Sequence, residues 1–224
     1  MILVIITAPT IKMNSCRAQS AIKSPVRHKS SRQKRSNQNI AQGELRIIGG
    51  MWKRTKLTFP LLEGVRPTPS RVRETLFNWL QQDIANARCL DLFAGSGALG
   101  LEALSRGAEH VQFVDSSAEI CRIIKENVSR LNAEANAEVL QADALIFAQK
   151  AQAKPVDIVF CDPPFNKGMV PELLKHIADT NLIADNGLIY VETEAALKDL
   201  TAPEQWQCLK EKKAGDVIYR LYQI

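Results

Sequence analysis

Acidic residues are missing from the first 43 positions, which carry eight Lys or Arg. Within them, residues 24–39 have almost no apolar side chain and are largely Ser, Gln, Asn, Lys and Arg. Such a stretch cannot bury enough surface to order itself, so 1–43 reads as a basic, disordered leader. Paired cysteines are also lacking. The five cysteines at 16, 89, 121, 161 and 208 show no motif spacing, and the three histidines at 28, 110 and 176 are scattered. That pattern argues against a disulfide framework and a zinc site, and a reduced cytoplasmic protein without metal is expected. No apolar run reaches membrane-spanning length. The longest at the N-terminus, Met1-Ile-Leu-Val-Ile-Ile6, lacks a charged n-region and is too short for a signal core, so neither export nor anchoring is expected.

What remains is enough for one catalytic-sized domain: 224 residues with 46% hydrophobic content support a sizeable α/β core plus an appendage. Charge is unevenly spread. Residues 44–73 hold seven basic against two acidic side chains, leaving fourteen basic against twenty-two acidic in 74–224. An acidic body behind a basic N-terminal third suits a polyanionic partner approached from one side.

Two motifs carry chemistry. Asp162-Pro-Pro-Phe165 follows the apolar run 157–161, which reads as a buried strand. The prolines stiffen the exit and remove two N–H donors, leaving carbonyls beside a carboxylate and an aromatic ring, a setting that fits a planar amine. A strand ending in a proline turn, with Phe165 covering core, is the structural alternative. Upstream, Cys89-Leu-Asp-Leu-Phe-Ala-Gly-Ser-Gly-Ala-Leu-Gly100 passes from a short strand through a glycine-rich turn into an apolar helix over 98–105. Glycines there let a ligand approach backbone, and the helix offers free N–H groups. The spacing of Gly95, Gly97 and Gly100, with Asp115 twenty residues after Gly95, also satisfies the dinucleotide fingerprint. Asp91 and Phe93 before the first glycine, and a tip with no part in hydride transfer, weigh against a nicotinamide cofactor.

The glycine loop resembles the S-adenosylmethionine loop of class I methyltransferases, and the tip resembles the (Asn/Asp)-Pro-Pro-aromatic signature of those that methylate planar amino groups. With Arg46-Ile-Ile-Gly-Gly-Met-Trp-Lys-Arg-Thr-Lys-Leu57 and Arg66-Pro-Thr-Pro-Ser-Arg-Val-Arg-Glu-Thr-Leu-Phe-Asn-Trp79 ahead of them, the chain is similar to the RsmD family from about Arg46 to Tyr222. That resemblance implies transfer of methyl from S-adenosylmethionine to the N2 of one guanine in 16S ribosomal RNA of the small ribosomal subunit, by a monomer. It implies catalytic roles for Asp162, Pro163 and Phe165. Asp91, Phe93, Gly95, Ser96 and Gly97 would line the cofactor's methionine end, with Asp115 at its ribose and Asp143-Ala144 at its adenine. Asp162 would face both cofactor and base. Two of these acids have structural rivals: Asp143 as a helix cap, and Asp91 as a residue that orients the loop without touching ligand.

Strands at 89–93, 110–115, 137–141, 157–161 and 187–192 alternate with helices, which predicts a Rossmann-like, mostly parallel α/β sheet within a methyltransferase domain over 67–224. Ligands of such sheets sit beyond the strands' carboxyl ends, where Asp91, Asp115, Asp143 and Asp162 would converge. Ser116-Ser-Ala-Glu119 matches a capping box, and Ala214-Gly-Asp216 marks the turn of a closing antiparallel hairpin. Residues 44–66 read as a small N-terminal β-hairpin with Gly49-Gly50 at its turn, offering Arg46, Lys53, Arg54 and Lys56 to RNA. Its Trp52 would either pack on the body or stack on a base. A helix starting at Thr68-Pro69 would place Val72, Leu76, Trp79, Leu80 and Ile84 in the core. Arg66, Arg71 and Arg73 would lie off that stripe, facing phosphate or the cofactor carboxylate. Rival readings are an amino-group methyltransferase acting on DNA adenine or protein glutamine, and an RNA-binding assembly factor.

Overall fold

The computed structural model describes residues 42–61, 68–150, 154–165, 167–197 and 200–224. All belong to the unit Asn39–Ile224. The basic leader and Arg66 lie outside the described residues.

Seven strands form the central sheet in the order β5-β4-β3-β6-β7-β9-β8. These are β3 (Arg88–Asp91), β4 (His110–Asp115), β5 (Ala137–Gln141), β6 (Val156–Cys161), β7 (Ile183–Glu194), β8 (Gln207–Ala214) and β9 (Val217–Gln223). Strands β5 to β7 run parallel, while β9 is antiparallel to both β7 and β8. The near-continuous apolar character of β3, β6 and β7 follows from burial on both faces. Alternate residues separate into two clusters. Cys89, Phe113, Phe160 and Tyr190 join one face with α1 (Ser70–Trp79), α2 (Ala98–Ser105) and α3 (Ala118–Arg130). Leu90, Val114, Val159 and Val191 join the other with α4 (Ala144–Ala148) and α5 (Val170–Asp179).

Most sequence-based boundaries hold closely, and α2, β4 and β5 coincide with expectation, while β7 begins four residues before the expected 187 and ends two after 192. The expected first strand ends earlier, at Asp91, because Leu92 onward turns into the glycine loop. The α3 cap shifts by one residue: the Ser117 side chain, not that of Ser116, accepts from Ile120 N. Ser117 N in turn donates to Asp115 Oδ1 at 2.9 Å, so the chain turns on Asp115 before the helix begins.

The N-terminal hairpin, β1 (Gln42–Arg46) against β2 (Lys56–Pro60), packs Leu45, Ile47, Leu57 and Phe59 into the α1-side core. Its turn rests on the end of α2. Met51 N donates to Ser105 O at 2.7 Å, and Trp52 N donates to Ser105 Oγ at 3.0 Å. Gly50, at φ 74°, has no room for a side chain, since an added Cβ would sit 1.8 Å from Ser105 O. Trp52 is half-buried against the core, so packing accounts for much of its surface.

Arg73 overturns an expectation. It is 2% exposed, on the buried face of α1, and ion-pairs with Glu102 at 3.5 Å while donating to Arg46 O at 3.1 Å and Thr68 O at 3.2 Å. It therefore faces neither RNA nor cofactor. Phe77, Leu80 and Ile84 follow it at four, seven and eleven positions, a second reading of the apolar stripe that includes position 73. Burial lowers its pKa and Glu102 opposes that shift.

Glu102, 0% exposed, also accepts from Ile48 N and Gly49 N at 2.8 Å each, and from Arg106 at 2.7 Å. Arg106 lies over the Phe77 ring at 5.0 Å. Removing one member of a buried charge group strands the others. We therefore expect Glu102→Ala to lower stability by about 3–5 kcal/mol in urea denaturation, well beyond the effect of removing the exposed Lys56–Glu44 pair.

Candidate active site

The site forms where β3, β4 and β6 end side by side. Leu92 N donates to Phe160 O at 3.0 Å and Ala94 N to Val114 O at 2.9 Å, which carries the glycine loop across the ends of its neighbours. Gly95 and Gly97 have φ of 48° and 75°, left-handed values that glycine adopts without strain. A Cβ on Gly95 would meet nothing closer than Phe93 O at 3.7 Å, so the backbone is bare there, whereas one on Gly97 would lie 2.9 Å from the Leu101 side chain. Gly100 differs: a Cβ there would come within 2.2 Å of the Phe113 ring, so this glycine serves helix–sheet packing.

Asp91 is 1% exposed, and its Oδ2 accepts from Gly100 N at 3.0 Å in the first turn of α2. It orients the loop, and its burial matches the structural role weighed for it above. Burial pushes its carboxyl up to about 7, the Gly100 N–H opposing the shift and the charges of Asp162 and Asp115 adding to it. Asp115 is half-buried at the end of β4 and spans the loop, with Oδ2 accepting from Gly95 N at 3.0 Å. Its remaining lone pairs point no other described residue into an ion pair. Asp143 is exposed and caps α4, its Oδ1 accepting from Ile146 N at 3.0 Å, with Ala144 buried behind it. Ser96 is buried in the loop, while Phe93 is only partly covered.

At the end of β6, Asp162 is partly exposed, Pro163 is buried, and Phe165 presents 38% of its surface. Asp162 Oδ2 accepts from Thr68 Oγ1 at 3.1 Å. An uncovered ring next to an anchored carboxylate differs from the core-covering alternative for this tip.

Two partners of Asp162 escaped sequence reasoning. Thr68, 7% exposed, was visible only as a helix-start residue, yet its hydroxyl reaches across to the tip. Glu192, 2% exposed on β7, follows Val191, which pairs with Cys161, so it lies beside Asp162. Tyr190 Oη donates to Glu192 Oε1 at 2.7 Å. An acid two residues from the end of an apolar strand was the available signal. Burial raises the carboxyls of both Asp162 and Glu192; Asp162 adds to the shift at Glu192, and the Thr68 hydroxyl opposes it at Asp162.

Of the exposed basic candidates, Arg46 and Lys56 share Glu44 at 4.0 and 3.0 Å, while Lys53, Arg54 and Arg71 face solvent.

The family model of Conserved hypothetical protein 95 matches residues 45–223. Ribosomal RNA small subunit methyltransferase D of Escherichia coli K12 is 48% identical over 182 residues, 81% of this chain and 90% of that protein. The chain belongs to the RsmD family. The protein of the same name from Haemophilus influenzae is 46% identical over 185 residues, 82% of this chain and 95% of that one. The solved structure of yhhF from Escherichia coli superposes with a TM-score of 0.75 at 45% identity, covering 81% of this chain and 98% of that chain. Class I methyltransferase architecture, expected from the alternation of strands and helices, is therefore established for this member of the family. Among the described residues no helix is long and apolar enough to cross a membrane.

The buried Asp91 makes a testable contribution to stability. Its folded-state pKa lies above its ordinary value, so the native state holds the proton more tightly. The stability it contributes is present at low pH and is lost as pH rises through about 7. Thermal denaturation of the ligand-free protein should show wild type losing stability relative to Asp91→Asn between about pH 5 and about pH 8. Parallel curves would remove the buried-charge account.

Proposed function

We propose that this chain transfers a methyl group from S-adenosylmethionine to the exocyclic N2 of one guanine in small-subunit ribosomal RNA, acting as a monomer in the cytoplasm on the assembled subunit. The observation that carries the reading is the tip: a carboxylate held by Thr68 and an uncovered aromatic ring, beside a bare glycine backbone.

The residues present fit the cofactor. The backbone at Gly95 is open to a close ligand, and Asp115 keeps carboxylate lone pairs for ribose hydroxyls at the end of β4. Ser96 and Phe93 border the same loop, and Asp143 with Ala144 stands at the end of β5, where the adenine would lie. Bound S-adenosylmethionine supplies an electrophilic methyl on a sulfonium, which is already a good leaving group.

The protein's task is therefore positioning and electrostatics more than acid–base work. The lone pair of guanine N2 is delocalised into the ring. Hydrogen bonds donated by that NH2 to the Asp162 carboxylate and the Pro163 carbonyl draw the nitrogen toward tetrahedral geometry and free the lone pair. The same two acceptors stabilise positive charge as it develops on nitrogen. Thr68 occupies one site on Oδ2 and leaves Oδ1 to the base. Phe165 stacks on the extruded guanine, a contact worth about 1–3 kcal/mol. An unpaired loop nucleotide costs least to extrude.

The deciding experiment is transfer of labelled methyl to small subunits lacking this modification, followed by digestion to nucleosides. N2-methylguanosine at one site supports the reading. Cofactor binding without label in RNA would redirect the acceptor to DNA or protein. Asp162→Ala should bind cofactor nearly as wild type yet lose at least about 100-fold in kcat, the scale set by removing one preorganised group. Asp115→Ala should weaken cofactor binding first, seen by calorimetry.

The acid side of the pH profile tests Thr68. Asp162 must be ionised to accept from the amine, so activity falls as pH falls through its raised pKa. Losing the Thr68 donor raises that value further. Thr68→Val should move the acid limb to higher pH, and Thr68→Ser should restore it; a limb that stays put in the Val variant would remove Thr68 from the site.

A further inference from the structure

Strand β8 is exposed along both faces, with the sequence Gln-Cys-Leu-Lys-Glu-Lys-Lys-Ala. Its three lysines lie near the active-site end of the sheet. Glu192 pairs with Tyr219, and Tyr219 pairs with Lys212, so Lys212 stands in the row that begins with Asp162 and Glu192. Lys213 sits one step further toward the β8–β9 turn and Lys210 slightly behind. Three strand spacings separate β6 from β8, which places the lysines about 14 Å from the tip, within the span of a few nucleotides.

Their facing is also defined. Directly opposed residues on antiparallel strands share a face. Tyr219 and Leu221 are buried on the α1 side, Tyr219 lying 5.4 Å from the Trp79 ring, so Lys212 and Lys210 extend past the same side. Exposed Arg71 of α1 belongs to that side too. The one acid within β8, Glu211, turns to the opposite face and is taken by Arg220 at 2.7 Å. Among the described residues no carboxylate pairs with Lys210, Lys212 or Lys213. The hairpin, with Lys53, Arg54 and Lys56, packs on α3 over the β4–β5 half of the sheet. Its turn meets Ser105 and its Lys56 carbonyl accepts from Arg130, at the ends of α2 and α3 remote from the crevice, so the β8 lysines stand nearer the tip than the hairpin's basic side chains do.

We propose that Lys210 and Lys212, which share the α1 face while Lys213 opposite Ile218 turns to the other, form a phosphate-contact surface that holds the substrate RNA backbone beside the crevice. This rests on the RNA reading above. Lysines on an edge strand also discourage sheet-to-sheet pairing between molecules, and the two roles predict different outcomes.

The test is binding of the full-length protein to unmodified small subunits over a range of salt concentrations, with methyl transfer measured in parallel. Each lost phosphate contact removes roughly 0.7–0.9 from the slope of log affinity against log salt, so replacing both lysines by Gln should lower it by about 1.5. Low-salt affinity should drop at least about tenfold while cofactor affinity and kcat at saturating subunit stay near wild type. Replacement by Arg should preserve the slope. If the Gln variant self-associates, Lys212→Gln alone should still lower the slope by a single step. An unchanged slope in a folded, active variant overturns the proposal and leaves the lysines as edge guards. Failure of wild type to methylate RNA would instead sink the RNA reading itself, so the two failures are distinguishable.

Discussion

The structure turns on the Glu102 carboxylate. Fully enclosed in the middle of α2, it accepts from two backbone N–H groups of the hairpin turn and from Arg73 of α1 and Arg106 of its own helix. Hairpin, α1 and α2 are thereby held to one point. Two residues earlier on the same helix, Gly100 N donates to Asp91 at the end of β3. The helix that follows the glycine loop is thus fastened to the sheet at its start and to the basic extension at its middle. The loss of any one member of this group bears on the helix that follows the loop, because a buried charge group of this kind has few alternative arrangements once its partners are fixed.

A second constraint comes from crowding of acids at the strand ends. Asp91, Asp115, Asp162 and Glu192 all lie there, and none is ion-paired among the described residues. Each is steadied by hydrogen bonds instead, from Gly100 N, Gly95 N, Thr68 Oγ1 and Tyr190 Oη respectively. Such bonds hold the acids in place, while burial raises the pKa of Asp91, Asp162 and Glu192 and so favours their neutral forms until a cation is near.

Much of this was legible in the sequence, for reasons that can be named. The parallel strands announce themselves because burial on both faces demands unbroken apolar runs, and α2 because its glycines and small residues admit only a closely packed helix. The tip and the glycine loop were readable because proline and positive-φ glycine restrict the backbone locally. What escaped depends on partners distant in the chain. Arg73 looks like a surface cation until Glu102, from another helix, is brought beneath it. Glu192 looks like a strand residue until β6 lays Asp162 alongside. Thr68 looks like a helix start until the same carboxylate reaches it. Asp143 was ambiguous for a different reason: a cap and a ligand contact ask for the same residue at the same place, and the cap is the part that a chain without ligand displays.

The two signs of charge divide the work. A polyanion and a sulfonium-bearing cofactor pull a protein in opposite directions: the first needs positive surface, the second is repelled by it. Here the exposed positive side chains lie in the hairpin, on α1 and along β8, while the acids occupy the strand ends. In the proposed reaction, long-range attraction gathers the RNA backbone to the basic side chains. At close quarters in that proposal the field reverses, favouring a cationic cofactor and the positive charge that grows on an amine under attack. Asp162 rather than a neutral amide at the tip strengthens that reversal, at the cost of a carboxyl whose pKa burial raises. Thr68 opposes that cost by donating to the ionised form. The hydroxyl and the acid are thus joined at the tip, though ninety-four positions separate them in the chain.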